Sequence, residues 1–266
     1  MPSLKPFASQ GLVAGLTPAD SLTAVQQGKL VVPPFSGPMQ GLPTWMDPMA
    51  FSYWRDDFYR YEVSGTDVGG WKKTDIGNGL SAGPVISANY SLNGELNFAT
   101  DDTAQGDGAI WQLDVDGVCN LASSRPYWVT MRVHLVSLSN FHVRCGLGAT
   151  TTNPFSADPN GVFFVIGEST NGAVGTIVKN NSGTTETAAT GSTLTAGQWH
   201  ELAFHYDGSG NVFMYLDRTL IDTVTTTIPT GIGIEPFFAG ITRGATGTLI
   251  LSIDFFQVVS LRPANA

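Results

Sequence analysis

Charged residues are scarce in this chain, and basic residues are the scarcest. Asp, Glu, Lys and Arg make up 13% of 266 residues, with 13 Lys and Arg against 22 Asp and Glu, so the formal net charge is -9. Proteins that bind nucleic acids neutralise phosphates with clustered Lys and Arg. The composition therefore argues against this class, and we expect no nucleic-acid partner.

Long apolar runs are also absent. The first residues, MPSLKPFASQGLVAGL, lack the sustained apolar segment that follows a basic start in an export signal. No later run approaches the roughly 20 apolar residues that span a bilayer. We therefore expect no export signal, no membrane anchor and no membrane partner.

Cysteine is limited to Cys119 and Cys145. They lie on different predicted strands without the spacing of a metal site, so we expect two buried thiols. A disulfide stays open, because it requires the two strands to be neighbours. We predict no metal ion and no cofactor, since no HExxH-like or CxxC-like pattern accompanies the four histidines, which are His134, His142, His200 and His205.

Strand patterns are what the sequence does contain. Side chains alternate between two faces from Trp199 to Tyr206, and turn formers at 207–211 lead into a second alternating run. Asp217-Arg218 makes a second tight reversal into TLIDTVTTTI, and 249–255 adds one more period-two run. Four successive strands without a helix signal predict an all-β sandwich.

The region from residue 51 to residue 266 is predicted to form this sandwich as one domain. WRDDFYRYEV is predicted as its opening strand, followed by a strand at about 84–90 and by two strands that flank an acidic loop, Asp101 to Gly108. Further runs are YWVTMRVHL, FHVRCGLGA, GVFFVIGES, GAVGTIVKNN and TTETAATGSTL. About a dozen strands are expected, enough for two packed sheets.

Residues 1–50 differ from this body. Thr17-Pro18-Ala19-Asp20 and a later Gly28 predict a short helix near 18–27. Prolines then interrupt the chain every few residues, so an extended arm is expected. The arm is too apolar for a solvated linker. We predict that it packs on its own sandwich or on a neighbouring subunit, through Leu30, Val31, Val32, Phe35, Met39, Leu42, Trp45, Met46 and Met49.

Several segments together resemble a known family. They are the opening WRDDFY, GELNFATDD leading into AIWQLDV, the pair YWVTMRVHL and FHVRCGLGA, and TAGQWHELAFHYDGSGNVFMYLDRTLIDTV with the closing LSIDFFQVV. Their order over about residues 51–260 resembles the concanavalin A-like lectin/glucanase jelly roll, also called laminin-G-like, as carried by virion structural proteins of tailed bacteriophages. The resemblance implies two antiparallel sheets, and a capsid decoration (cement) protein or a fibre part.

Glycosidases with this fold place acidic residues alternately along one strand, so that a nucleophile and an acid/base reach the groove. No strand here has Glu-X-Asp-X-Glu spacing, and Glu201 and Asp254 are single acids expected at a rim or sheet surface. His200 shares the parity of Leu202 and Phe204, which predicts a core or half-buried histidine with a local hydrogen bond. No Gly-X-Ser-X-Gly elbow is present. We predict no catalytic residue and no enzyme.

Two other groups of residues have alternative interpretations. The loop from Asp101 to Asp107 could offer carboxylates to calcium, but its spacing matches no defined calcium loop, so an acidic hairpin loop is favoured. Four tryptophans could stack on sugar rings, although packing between sheets is the commoner outcome. They are Trp71, Trp111, Trp128 and Trp199.

The favoured hypothesis is a non-enzymatic structural protein of a phage virion. It would decorate the capsid surface after synthesis in the host cytoplasm, bind the major capsid protein and stabilise contacts between capsomers through its arm. The resemblance implies a homotrimer on local three-fold axes. The alternative is a glycan-binding, lectin-like module of a tail fibre or receptor-binding protein. A glycan hydrolase or lyase would need an acidic pair that the pattern does not show.

Overall fold

The computed structural model is all-β, with no helix among the residues it describes, and the predicted fold class is confirmed. It describes residues 30–31, 45–46, 51–56, 67–68, 71–77, 96–99, 106–113, 119–121, 125–138, 141–167, 172–187, 192–242 and 250–261. The strands are β1 Leu30–Val31, β2 Trp45–Met46, β3 Phe51–Asp56, β4 Asp67–Val68, β5 Trp71–Ile76, β6 Leu96–Ala99, β7 Gly108–Leu113, β8 Cys119–Asn120, β9 Tyr127–Leu135, β10 Phe141–Gly148, β11 Gly161–Ile166, β12 Val174–Asn180, β13 Gly183–Thr187, β14 Trp199–Tyr206, β15 Val212–Leu216, β16 Thr219–Val224, β17 Gly233–Thr242 and β18 Ile250–Leu261.

One of the two large sheets has seven strands in the order β16-β15-β14-β9-β18-β3, with β6 also paired to β18. All of its pairs are antiparallel. The long strand β18 pairs with β9 along one side and with β6 and then β3 along the other. It therefore joins the opening strands of the body, β3 and β6, to β9.

The second large sheet has nine strands in the order β13-β12-β11-β10-β17-β7-β5-β4, with β8 paired to β17. Its ladders are antiparallel too, as in a jelly roll. The chain crosses between the sheets at successive strands, because β9 belongs to the first sheet and β10 to the second.

The core lies between these sheets, and Trp71 links them. Its fully buried ring lies 5.4 Å from that of Phe238 on β17 and 6.4 Å from that of Phe256 on β18, as measured between centroids. Its indole Nε1 donates a hydrogen bond of 2.9 Å to the carboxylate of Asp56 on β3. One side chain thus packs against both sheets and satisfies its polar atom, as a buried tryptophan needs to.

The prediction of four strands between residues 199 and 261 is wrong, because β17 makes a fifth. Its sequence, GIEPFFAGIT, is a mostly apolar run interrupted by Pro236, and proline usually marks an edge strand. Yet β17 is central: it pairs with β10 on one side, and on the other with β8 at Ile234 and with β7 from Phe237 onward. Pro236 lies where the partner of β17 changes from β8 to β7, so its missing N–H interrupts neither of these two ladders.

The acidic segment before Gly108 does not close a hairpin, contrary to the prediction. The strands that flank it, β6 and β7, form as expected but belong to opposite sheets, since β6 pairs with β18 and β7 with β5 and β17. Alternation predicts that a segment is a strand and which side chains share a face. It does not indicate the sheet to which the strand belongs.

Other predictions have mixed outcomes. The opening strand begins at Phe51, three residues before the predicted WRDDFYRYEV, and the body has more strands than the predicted dozen. The predicted helix near 18–27 and the predicted strand at 84–90 lie outside the described residues. None of the described residues forms a helix long and apolar enough to cross a membrane.

Candidate functional site

Acidic residues are distributed singly among the described strands, none of which contains more than one Asp or Glu. Glu201 lies on the outside of the seven-stranded sheet with its Oε1 3.9 Å from Nε of Arg218, and Asp254 accepts a 2.8 Å hydrogen bond from Arg132. Both are surface residues of the sheet, as predicted. Cleavage of a glycosidic bond needs two carboxyl groups roughly 5–10 Å apart across one groove, and these strands do not alternate acids in that way.

His200 is a buried residue with local hydrogen bonds, which confirms its prediction. Its Nδ1 is 2.7 Å from Oδ2 of Asp217, and its Nε2 accepts a 2.9 Å hydrogen bond from the backbone N–H of Thr195. Nε2 also lies 3.3 Å from the carbonyl oxygen of Thr195, so the ring is held between the Asp217 carboxylate and the Thr195 backbone. With both nitrogens engaged, His200 has no free nitrogen for a substrate or metal.

The Asp217 carboxylate also stabilises the tight turn between β15 and β16. Asp217 and Arg218 have φ values of 47° and 68°, which suits the two-residue turns of antiparallel hairpins but is unfavourable for residues other than glycine. Oδ1 of Asp217 accepts a 2.9 Å hydrogen bond from the N–H of Glu201, and its own N–H donates to the Glu201 carbonyl at 2.8 Å. These bonds hold the unfavourable backbone in place.

The other histidines pack against aromatic rings. His142 is buried beside Phe155, with 4.8 Å between ring centroids, and His134 lies 5.2 Å from Trp199. Within the described ranges, no group of three His, Cys, Asp or Glu side chains could hold a metal ion. Of the calcium-loop candidate, Asp101 to Asp107, only Gly106 and Asp107 lie within those ranges, and Asp107 is buried.

Two of the four candidate tryptophans pack between the sheets, as expected. Trp71 and Trp111 are fully buried between the sheets, and Trp128 is 6% exposed on the outside of the seven-stranded sheet. Trp199 differs because it is only half-buried. Strand alternation already grouped it with Glu201 on the side away from the core, so the sequence contained the relevant signal.

The outer face of the nine-stranded sheet, called here the sealed face, is largely buried. All residues of the strands β7, β10 and β11 are buried. Phe155, in the loop between β10 and β11, packs against an apolar cluster on this face. The cluster consists of Ile76, Ile110, Phe163, Val165, Ile177, Phe237 and Ala239. Among the residues that the structure describes, these three strands and the cluster therefore leave little of this face exposed.

A buried arginine, missed by sequence reasoning, fixes the loop 149–160 to the sealed face. Nη1 of Arg144 donates a 2.6 Å hydrogen bond to the carbonyl of Pro154 and pairs with the carboxylate of Asp158. The guanidinium also lies over the rings of Phe155 and Phe163, at 5.4 and 5.8 Å from their centroids. Arg144 thus binds the loop through charge, a hydrogen bond and ring contacts.

Gln112 holds the start of the same loop. Its Nε2 donates to the carbonyls of Gly148 and Ala149 at 3.2 and 3.3 Å, and its Oε1 accepts from the N–H of Thr151 at 3.1 Å. One buried amide therefore satisfies three backbone groups. The polar side chains on this face serve the loop itself, which leaves them little capacity to bind a sugar.

The outer face of the seven-stranded sheet, called here the open face, has a different character. Trp128 stacks on His205, with 4.7 Å between centroids and 9° between planes, and His205 stacks on Phe213 at 5.8 Å. Burial lowers the pKa of His205, although the charge of Asp207 opposes this. Partly exposed aromatic and charged residues continue along this face, namely Arg132, His134, Trp199, Glu201, Tyr215, Asp254 and Phe255.

Both cysteines are free and buried, as predicted, with Cys119 on β8 and Cys145 on β10. Burial raises the pKa of the Cys119 thiol to about 12 despite the opposing charge of Arg125, and burial raises the pKa of Cys145 further. Thiols of this kind are protonated at neutral pH and unreactive. They are packing residues and not sites of chemistry.

The structure describes the backbone of two short pieces of the predicted arm. Leu30 pairs with Met46 and Val31 with Trp45 in an antiparallel two-stranded ladder. The side chains of the arm lie outside the described residues, and so do the backbones of Val32, Phe35, Met39, Leu42 and Met49. The boundary at residue 50 and the binding role of these side chains stay predictions.

Comparison with known proteins identifies the fold. The family model of a laminin-G-type domain, described as the Concanavalin A-like lectin/glucanases superfamily, matches residues 137–259. No curated protein sequence matches the chain.

Solved structures extend the likeness at low sequence identity. A protein of unknown function from Shewanella oneidensis MR-1 is 16% identical, with a TM-score of 0.53 over 96% of this chain and 98% of that chain. A family 16 endo-glucanase from Bacteroides ovatus is 11% identical, with a TM-score of 0.55 over 77% of this chain and 99% of that chain. Peanut lectin is 9% identical, with a TM-score of 0.53 over 80% of this chain and 99% of that chain. The body of this protein therefore has the concanavalin A-like jelly-roll fold, which glucanases and lectins share.

Proposed function

We propose that this protein is a non-enzymatic structural protein of a phage virion. In this proposal it is a capsid decoration, or cement, protein that binds the major capsid protein and stabilises contacts between capsomers. The observation that carries the non-enzymatic part is the sealed face. Buried apolar side chains and a fixed loop occupy it, and no described strand provides a pair of carboxylates.

The binding part of the proposal depends on the arm. Burying each of its large apolar side chains against another subunit would contribute roughly 1.5–3 kcal/mol before ordering costs. The ladder orders residues 30–31 and 45–46 against each other, and ordering before binding lowers those costs. A homotrimer on local three-fold axes would place three arms on neighbouring capsomers.

Sedimentation with purified capsids of the source phage tests this function. The full-length protein should pellet with capsids, and a protein lacking residues 1–50 should stay in the supernatant. A full-length variant with Phe35, Leu42 and Trp45 replaced by serine should behave like the truncated one, because it loses only apolar contact. If the full-length protein stays in the supernatant with capsids that lack it, the decoration role is wrong.

A second candidate is a glycan-binding module of a tail fibre or receptor-binding protein. The half-buried Trp199 among charged residues of the open face favours it. This function predicts that the full-length protein and the protein without residues 1–50 bind a polysaccharide equally well. The arm therefore separates the two candidates.

A further inference from the structure

Trp199 lies at a corner of the open face, where β9 supports one side of its ring. The Arg132 guanidinium carbon is 5.1 Å from the centroid of the indole, and the His134 ring is 5.2 Å away. On the opposite side, β15 pairs with β14 only from Leu202 onward, so no β15 residue pairs with Trp199. The indole is thus fixed from one side and half-exposed.

Hydrogen-bond donors and acceptors lie on the same face as this ring. Nη1 of Arg132 donates to Oδ2 of Asp254 at 2.8 Å, and Glu201, two residues after Trp199 on the same face, lies 3.9 Å from Arg218. Two guanidinium groups and two carboxylates therefore accompany one aromatic ring. Asp217 adds a carboxylate beside Glu201, and Arg55 adds a guanidinium over Phe255, so positive and negative charges balance. The local charge favours neither an anionic nor a cationic ligand.

A β-bulge brings Asp254 to this position. In the ladder with β9, Ile253 pairs with Val133 and Phe255 pairs with Arg132, so Asp254 is an extra residue without a β9 partner. Bulges redirect side chains and are frequent beside binding sites. Here the bulge adds a carboxylate to the open face while Ile253 stays fully buried.

We propose that Trp199, Arg132, Glu201 and Asp254 form a subsite for one sugar ring of a neutral polysaccharide. This proposal rests on the second candidate function and assigns its site. A pyranose ring has an apolar C–H face that packs on an indole, and hydroxyl groups that need both donors and acceptors. Guanidinium groups donate and carboxylates accept, so the cluster offers both beside the ring.

The exposure of the ion pair favours a sugar over a protein partner. The side chains of Arg132 and Asp254 are 45% and 20% exposed. The centre of a protein interface is depleted of charged residues, because such a pair would lose its hydration. A polyhydroxylated ligand replaces water with its own hydroxyl groups and leaves the pair hydrogen-bonded.

Affinity electrophoresis of the full-length protein in gels that contain dextran, mannan or galactan tests the site, with polygalacturonate as the acidic comparator. At least one neutral polymer should retard the native protein. Trp199→Ala should weaken that retardation about tenfold, which corresponds to about 1.4 kcal/mol of lost stacking and apolar contact. Trp199→Phe should weaken it less, and Asp254→Asn should weaken it without removing the ring.

Tyr215→Ala is the matched control, because Tyr215 is a half-buried aromatic residue of the same face on the neighbouring strand. It should bind like the native protein, and thermal unfolding checks that each variant is folded. Equal retardation of the native protein and folded Trp199→Ala would overturn the subsite but leave glycan binding intact. Retardation by polygalacturonate alone would overturn its neutral specificity, and no retardation by any polymer would overturn both the subsite and the second candidate function.

Discussion

The two outer faces of the sandwich use the same kinds of residue in opposite ways. On the sealed face, Arg144 is 4% exposed and bound to a loop, whereas on the open face the side chain of Arg132 is 45% exposed and lies over an indole that is itself half-buried. Aromatic rings fill the first face and line the second. A side chain committed to its own loop contributes stability, and one that remains exposed is available to a partner.

The largest expected difference between the faces concerns these two arginines. Arg144→Ala should lower the free energy of unfolding by about 3 kcal/mol, because it removes the partner of Asp158 and two ring contacts in a buried setting. Arg132→Ala should cost less than about 1 kcal/mol, as for other exposed ion pairs. Urea unfolding measures both values, and equal losses would contradict the distinction between the faces.

Glycine substitutions should give a smaller contrast. A Cβ on Gly146, whose φ is 153°, would lie 2.5 Å from the Val162 carbonyl oxygen and 2.7 Å from Cα of Phe163. Gly146→Ala should therefore lower the free energy of unfolding by more than about 2 kcal/mol. Gly197 precedes β14 of the other sheet and has a φ of 72°, but no atom lies within 4 Å of an added Cβ. Gly197→Ala should therefore lower the free energy of unfolding by only about 1 kcal/mol. Thermal unfolding distinguishes them, and similar losses would argue against close packing at β10.

The smallest effect concerns the hairpin that carries part of the open face. Burial of Asp207 disfavours its ionisation, but hydrogen bonds from Asn211 and Ser209 outweigh this and hold the pKa of the carboxyl well below its usual value. A lowered pKa in the folded state stabilises the protein above the unfolded-state pKa of about 4, and this contribution declines as the pH falls further.

Asp207→Asn should therefore lower the free energy of unfolding by about 1 kcal/mol at neutral pH. The difference from the native protein should stay constant from about pH 7 to 5 and shrink below about pH 4. Unfolding by urea across this range measures it. A difference that grows on acidification would show that the carboxylate does not stabilise the turn.

Much of the seven-stranded sheet could be predicted from the sequence because its strands alternate. The parity of His200, Leu202 and Phe204 correctly separated the core side of β14 from the side of Trp199 and Glu201. Alternation of this kind arises where one face of a strand is buried and the other partly exposed.

The nine-stranded sheet is buried on both faces at its centre, so the sequence of β17 lacks alternation and no strand was predicted there. The role of Arg144 was equally hidden. An arginine in a strand normally indicates exposure, and only the folded loop brings Pro154 and Asp158 to it. Contacts of this kind depend on tertiary structure, which a local pattern does not contain.

The position of β18 has a consequence for biosynthesis. Its neighbours β3 and β6 come early in the chain, and the hydrogen bond between Arg55 and Gln257 joins positions 202 apart. A ribosome therefore releases β3, β6 and β9 long before the strand that pairs with all three exists. Such long-range pairing slows folding and leaves strand edges open in the meantime. Until synthesis reaches residue 261, β3, β6 and β9 therefore lack the neighbour that β18 provides in the finished sheet.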